Sequence, residues 1–366
     1  MEVLNDESQI TRSLVFDKVA QYEHEQIVFC HDKYSGLKGI IAVHDTTLGP
    51  GLGGTRMYNY ESEEDALVDV LRLSRGMTYK ASISGLNLGG GKAVIIGDPN
   101  KQKSEALFRK FGQYINNLNG KYITAEDIGT TTRDMEFINM ETQNVVGLPK
   151  VFGGGGDPSP VTAYGVYLGM KASANKVFGS DSLSKKKILV EGVGKVGMEL
   201  VNLLNHENAE VFVADVDDQK LKKASSEYGV KVKKLDEIYS ANVDIYAPCA
   251  LGATLNNESI PELKCSIIAG AANNQLADEE HHGQMLFDHG ILYTPDYLIN
   301  AGGLINVFTE WTGYNHESAI ETTKNIYEVT KQIISKSQQE NVPTNEASQK
   351  MADDRINQIG TIHLKG

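Results

Sequence analysis

The chain has 366 residues, 40% of them hydrophobic, and 36 glycines. That length suits about two domains, and the apolar fraction excludes a chain that is disordered throughout. With 35 basic and 48 acidic residues the formal charge is −13, which argues against unaided binding to nucleic acid or an anionic membrane. Glycine is about a tenth of the chain, against ~7% in ordinary usage. Nine prolines and no fixed period exclude collagen, so the glycine excess is local.

Cys30, Cys249 and Cys265 lack metal or disulfide spacing, which predicts a reducing compartment. Residues 1–13, MEVLNDESQITRS, carry no apolar core, so no signal peptide is expected. No run approaches the ~18 apolar residues a membrane span needs. A soluble cytoplasmic protein is the expectation.

In chain order, residues 38–45 and 93–97 read as buried strands. Ser62 and Asp65 form a capping signal for a helix running towards Lys80, with Leu67, Leu71, Ser74 and Met77 on one side. Residues 104–117 read as an amphipathic helix, and 122–127 (YITAED) as a strand ending in acids. KVFGGGGDPSP, 150–160, can continue neither helix nor strand and reads as a hinge. From 161 helices and strands alternate, which predicts a parallel sheet covered on both faces. The expected fold is α/β in two domains: residues 1–150, then a doubly wound domain over 151–342. Pro343 follows a helix break, and the tail 343–366 is expected to pack back on the first domain.

The strand 187–190 runs into Gly192-Val193-Gly194-Lys195-Val196-Gly197, and a helix follows. The first glycine makes the tight turn, the second admits a pyrophosphate, and the third lets the helix pack on the strand. The pyrophosphate then meets the positive end of the helix dipole. The next strand ends in Asp215, where a carboxylate can accept from ribose hydroxyls. Val216, Asp217 and Asp218 follow without an arginine, which favours NAD over NADP. Glycines needed only for strand–helix packing are the alternative.

Two further glycine clusters occupy 49–54 and 85–91. The second ends in Lys92 but fails the phosphate-loop template, since Ala93 stands where Ser or Thr is needed. Its glycines are expected to let substrate approach the backbone. Met77 and Lys80 share a helix face. Lys92, among glycines and apolar residues, would be desolvated, and a second cation nearby would disfavour its charge further, as a catalytic lysine requires. Solvated surface lysines are the alternative, and for Asp127 the alternative is a helix N-cap near Thr131. His281 and His282 are adjacent and do not share a helix face, so no metal is predicted.

LGGTRM (52–57), RGMTYK (75–80), GLNLGGGK (85–92) and TAEDIGTT (124–131) together resemble the amino-acid dehydrogenases that include the leucine, valine, phenylalanine and glutamate enzymes. PSPVTAYGV (158–166), EGVGKVG (191–197), PCALGATLN (248–256), AGAANNQL (269–276) and NAGGLINV (300–307) continue the match over nearly the whole chain, nearest the leucine enzymes. The resemblance implies NAD-dependent oxidative deamination of an L-amino acid to a 2-oxo acid and ammonium. It implies that Lys80 holds the substrate carboxylate, that Lys92 is the catalytic lysine, and that Asp127 relays protons. Thr162 and Asn274 match residues near the nicotinamide and substrate. Leu52, with Gly53, Gly54, Ala125, Leu304 and Val307, matches the side-chain pocket. The leucine at 52 stands where glutamate enzymes carry a lysine, so an apolar substrate is implied. Ala125 resembles the leucine enzymes, whereas Leu304 resembles phenylalanine enzymes, so leucine, valine and isoleucine are preferred and phenylalanine stays open. A homo-oligomer, often an octamer in the family, is implied. A catalytically silent NAD-binding protein on the same fold is the alternative of another class; keeping Lys80, Lys92 and Asp127 together argues against it.

Overall fold

The computed structural model describes residues 14–363; the acidic segment 1–13, where no signal peptide is expected, lies outside them, as do 364–366. The first half contains α1 (Leu14–Tyr22), β1 (Gln26–Asp32), β2 (Leu37–Asp45), β3 (Gly51–Leu52), β4 (Thr55–Tyr58), α2 (Glu63–Ile83), β5 (Gly89–Ile96), α3 (Glu105–Asn116), β6 (Tyr122–Ile123) and α4 (Thr132–Asn139). Its sheet has the order β1-β2-β5-β3-β6, with β4 also on β5. β2 and β5 read as unbroken apolar runs because both faces are covered. Ile40, Ala42 and Val94 pack under Leu67, Val70 and Leu71 of α2. Ile41, Val43, Ala93 and Ile95 pack against Phe108 and Phe111 of α3 and Met135 of α4. Ser62 caps α2 as predicted, its hydroxyl accepting from the Asp65 N–H at 3.1 Å.

Two expectations need correction here. The strand predicted over 122–127 is laddered only at Tyr122–Ile123; beyond it the chain makes single bridges, Thr124 to Val145 and Glu126 to Thr55, as it crosses the sheet end. The glycines at 89–91 are strand residues of β5, not a loop opened to substrate. A Cβ on Gly91 would stand 2.6 Å from the Tyr122 ring, and one on Gly90 2.5 Å from the Thr78 nitrogen. Here glycine serves the close approach of the chain to itself.

The segment predicted as a hinge forms a short 3₁₀ turn, Lys150–Phe152, ended by left-handed Gly153 (φ 88°). The second half then runs α5 (Ser159–Phe178), β7 (Lys187–Glu191), α6 (Lys195–His206), β8 (Glu210–Ala214), α7 (Asp218–Tyr228), β9 (Lys231–Val232), β10 (Ile245–Pro248), β11 (Ile267–Ile268), α8 (Glu279–Asp288) and β12 (Leu292–Tyr293). Every pairing in this sheet is parallel, in the order β12-β11-β10-β7-β8-β9. The order reverses between β7 and β10, and in open α/β sheets the crevice at the carboxyl ends of such strands takes the ligand.

Helices α9 (Asp296–Ile299), α10 (Gly302–Trp311), α11 (His316–Glu340) and α12 (Thr344–His363) complete the chain. α11 stops at left-handed Asn341 (φ 55°), and Pro343 cannot continue it. α12 packs on α2 and also on α8 and α11, so the tail touches both halves rather than the first alone. Arg355 of α12 donates to the carbonyls of Ser82 (3.1 Å) and Leu86 (2.8 Å). One apolar cluster joins Leu52, Ile83, Leu86 and Leu88 to Val166, Met170, Leu304 and Ile305, so the halves share buried surface.

Candidate active site

Three neighbouring segments at the end of the first sheet converge on one carboxylate. β4 lies parallel to β5, with Arg56 opposite Val94, and β3 lies between β5 and β6. Asp127 follows the bridge at Glu126, its backbone N–H donating to Thr130 Oγ1 at 2.9 Å. Lys92 Nζ is 2.8 Å from Asp127 Oδ2, with the lysine side chain only 9% exposed. Arg56 Nε donates to the same oxygen at 3.1 Å. Burial disfavours charge on Asp127, but Lys92 and then Arg56 outweigh it and hold the carboxyl below the usual carboxylate range. Asp127 is not the cap of α4; Thr131 and Asp134 form that cap as a capping box.

Lys80 leaves α2 one turn after Met77 and faces the second half, its Nζ 3.4 Å from Asn273 Oδ1. Asn300 Nδ2 donates to that same amide oxygen at 2.8 Å. Burial pulls the Lys80 ammonium down to about 8, against Asp296 and with Lys92 adding to the fall. Asp296 is buried, and burial pushes its carboxyl up, against N–H donation from Gln275 and the charge of Lys80. Asn274, the residue expected near the nicotinamide and the substrate, is not in this contact. Its neighbour Asn273 makes the contact, while Asn274 is a left-handed turn residue (φ 51°) whose carbonyl accepts from Ala253 at 2.7 Å.

The residues expected to line the pocket belong to the large apolar cluster that runs through both halves. Leu52 and Leu304 are buried in one apolar cluster, and Met77, Ala125 and Val307 pack against it. Gly53 and Gly54 fit where side chains cannot: a Cβ on Gly53 would be 1.9 Å from the Gly91 carbonyl oxygen, and one on Gly54 2.4 Å from the Glu126 carbonyl oxygen and 2.9 Å from Asp127 Cβ. Thr162 lies at the start of α5, against the turn into α10, where a Cβ on Gly303 would be 3.2 Å from its Oγ1.

The second-half crevice has the geometry the glycine pattern predicts. Gly192 takes φ 93° at the end of β7, where a Cβ would stand 2.7 Å from that of Ala250 after β10. Gly194 caps α6 without a side chain, and open space lies where its Cβ would point. Gly197 lets α6 cross the Gly192 carbonyl. Val193 is buried; Lys195 reaches out to Asp157 at 3.4 Å, next to half-buried Val196. Asp215, directly after β8, accepts from the Val193 N–H at 2.8 Å through Oδ2 and from Asp217 at 2.9 Å through Oδ1. A helix N-terminus without a side-chain cap, open space at the middle glycine and an adjacent carboxylate fit a dinucleotide.

Sequence reasoning missed Arg56, Asp69, Tyr60, Asn273 and Asp296 as functional neighbours. Arg56 stands inside the motif LGGTRM, and Asp296 shortly precedes the NAGG turn; those positions are the available signals. His281 and His282 have structural partners: His281 Nε2 meets Asn257 Oδ1 at 2.9 Å, and the Asp278 N–H donates to His282 Nδ1 at 2.8 Å.

Comparison with known proteins agrees with this geometry. Residues 24–144 match the model of the Glu/Leu/Phe/Val dehydrogenase dimerisation domain. Residues 213–361 match the glutamate/leucine/phenylalanine/valine dehydrogenase model. The chain belongs to the Glu/Leu/Phe/Val dehydrogenase family. It is 54% identical to leucine dehydrogenase of Bacillus cereus over 342 residues, 93% of each chain. It is 48% identical to phenylalanine dehydrogenase of Lysinibacillus sphaericus over 358 residues, 96% of this chain and 93% of that one. The crystal structure of L-tryptophan dehydrogenase from Nostoc punctiforme superposes with a TM-score of 0.85 at 46% identity, covering 94% of this chain and 99% of that one. Membership makes the protein an amino-acid dehydrogenase and implies a nicotinamide cofactor. Among the described residues no helix is long and apolar enough to cross a membrane.

Proposed function

We propose that this family member catalyses the reversible, NAD-dependent oxidative deamination of branched-chain L-amino acids, leucine first, to 2-oxo acids and ammonium. The observation that carries the chemistry is the contact of Lys92 with Asp127, within electrostatic reach of Lys80 on α2. The leucine assignment rests on the 54% identity to leucine dehydrogenase against 48% to phenylalanine dehydrogenase.

In this reading Lys80 pairs with the substrate α-carboxylate, held in place by Asn273 and Asn300. Leu52, Met77, Ala125, Leu304 and Val307 receive the apolar side chain, and no cation there invites a carboxylate. Asp127 accepts a proton from the substrate ammonium, so that the nitrogen lone pair can drive hydride off Cα. Bound NAD would supply the acceptor for that hydride. Lys92, uncharged at that step, takes a proton from the water that adds to the iminium carbon, and Asp127 returns to nitrogen the proton it first took. The carbinolamine hydroxyl then gives its proton to the Asp127 carboxylate as C=O forms and the C–N bond breaks to release ammonia. The two protons left on the pair go to ammonia and to bulk water. Closure of the two halves would keep the iminium from bulk water until that step.

Gly192, Val193, Gly194, Lys195, Val196 and Gly197 hold the pyrophosphate, and Asp215 accepts from the ribose hydroxyls. The carboxylates of Asp215, Asp217 and Asp218 would repel a 2′-phosphate, which supports NAD over NADP. Thr162 and Asn274 border the nicotinamide. Residues 1–150 are assigned to substrate binding and self-association, 151–342 to the cofactor, and 343–366 to bracing the two. The dimerisation-domain match supports a homo-oligomer, and the free cysteines support a reducing, cytoplasmic setting.

The test is a kcat/KM panel over Leu, Ile, Val, Phe and Glu with NAD and with NADP, read as nicotinamide reduction. Leu highest and Glu negligible is the expected result. Phe highest would replace the leucine reading, and no turnover of any substrate would favour the silent alternative.

A further inference from the structure

Behind the Lys92–Asp127 pair lies a second layer of charge. Arg56 Nη1 donates to Asp69 Oδ2 at 2.8 Å while its Nε serves Asp127. Tyr60 Oη donates to that same Asp69 oxygen at 2.8 Å, and Arg72 Nη2 reaches Asp69 Oδ1 at 3.2 Å. The Arg56 guanidinium is therefore fixed at both ends, between a carboxylate of α2 and the carboxylate of the site. Its side chain is 18% exposed, so water screens it little. A planar fork can span two acids in this way; a lysine ammonium is a single point.

Arg56 and Lys92 both address Oδ2 of Asp127, at 3.1 and 2.8 Å. Both contacts end on that one oxygen, which leaves Oδ1 as the oxygen that takes neither of them. We propose that Arg56 is a positioning residue for the dehydrogenation assigned above: anchored by Asp69 and Tyr60, it fixes the Asp127 carboxylate so that Oδ1 is the oxygen that meets the substrate's proton. The geometry gives Arg56 a second effect. A cation shared with Lys92 on one oxygen keeps Asp127 ionised without tying its charge to Lys92 alone. Asp69 tempers that cation, so the two acids draw on one guanidinium in opposition.

The charged and titratable groups facing Asp127 are Lys92 from β5, Arg56 from β4 and Lys80 from α2, with Tyr122 of β6 close by and Tyr60 and Asp69 behind Arg56. Arg56 bridges Asp127 and Asp69 directly, so Arg56 and Asp69 can be varied outside the Lys80 and Lys92 positions.

The experiment compares the full-length protein with Arg56→Gln, Arg56→Lys and Asp69→Asn. Two readouts are taken: the pH profile of kcat/KM for L-leucine, and the carboxylate infrared band of Asp127, isolated by difference against Asp127→Asn in each background. Arg56→Gln should move the Asp127 band titration and the acid limb to higher pH by about one unit and lower kcat ~10-fold or more, with little change in KM for leucine. Arg56→Lys should restore the titration but only part of kcat, since charge returns without the fork. Asp69→Asn should move the titration the opposite way, to lower pH. A merely structural role would not shift the titration in opposite directions at the two positions. An unchanged Asp127 band in Arg56→Gln overturns the proposal. If that variant does not fold, an unchanged or upward shift in Asp69→Asn overturns it. Absence of leucine turnover in the unsubstituted protein would sink the assigned activity, while the infrared titration still decides the role of Arg56.

Discussion

Lys92 Nζ stands 2.8 Å from Asp127 Oδ2, and both side chains are largely shielded, at 9% and 20% exposure. A base and an acid in direct contact can pass one proton between them without waiting for water. Removing Asp127 leaves Lys92 without its acidic partner, and removing Lys92 leaves Asp127 paired with Arg56 but with no base beside it. Lys92→Ala is therefore expected to lower kcat by ~10²–10⁴-fold. NAD binding should persist, because the glycine turn at 192–197 lies on another sheet. Steady-state kinetics with a fluorescence titration of NADH checks this. Near-normal turnover would remove Lys92 from the chemistry.

Lys80 supplies a pH dependence with a definite sign. Burial brings its ammonium down to about 8, so the free protein holds a cation for the substrate carboxylate below that pH and loses it above. The kcat/KM for leucine should fall as pH rises past about 8, through KM, while kcat holds because bound carboxylate keeps the lysine charged. The folded value lies below the ~10.4 of an unfolded lysine, so the unfolded chain binds more protons across that window. Stability without ligand should rise with pH from about 8 towards ~10.4. Lys80→Gln should flatten that rise, raise the melting temperature at neutral pH, and increase the leucine KM ~10–100-fold. A variant with unaltered KM would show that Lys80 does not hold the carboxylate.

The nucleotide half was the most legible part of the chain. Its signals are local: a short apolar strand, GVGKVG, an amphipathic helix, and Asp215 one strand later. Each is set by backbone geometry over a few residues, and the structure keeps all of them. The substrate half was legible in its elements and less so in its contacts. The glycines at 89–91 looked like a ligand loop because composition does not distinguish approach to a ligand from approach to Thr78 and Tyr122. Arg56 could not be placed, since its two partners come from α2 and from the chain after β6, and only the sheet order brings them together. Asp296 was equally hidden: its effect on Lys80 arises where the two halves meet.

The pocket yields a graded prediction. Leu304 is 6% exposed and shares an apolar cluster with Leu52. Leu304→Val removes one methylene from the wall, and the folding cost should be only ~0.5–1.5 kcal/mol. The deeper pocket should favour longer side chains, raising the kcat/KM ratio of leucine over valine by ~10-fold. An unchanged ratio would move Leu304 out of the pocket. Leu52 is a poorer probe by charge. It is 2% exposed, so lysine there would be a buried unpaired cation that disrupts folding before it tests specificity.

Acid should weaken the first half through a histidine pair hydrogen-bonded to α2 rather than to the reacting groups. His24 Nε2 meets Ser74 Oγ at 2.7 Å, His44 Nδ1 meets Thr78 Oγ1 at 2.8 Å, and the two rings stand edge to face at 4.9 Å. Burial, then the neighbouring His44, pulls His24 down to about 4. Burial lowers His44 as well, against Asp45. A neutral folded histidine with a depressed value contributes its full stability above the unfolded pKa of ~6.5 and loses it as pH falls through about 4. For His24 alone, the loss by about pH 5 is on the order of 2 kcal/mol. Denaturant midpoints at about pH 7.5 and about pH 5 should therefore differ clearly in the unsubstituted protein. In His24→Gln the neutral-pH stability should be lower, because the Ser74 contact is altered, but the gap between the two midpoints should shrink. An equal gap in both proteins would place the acid sensitivity elsewhere.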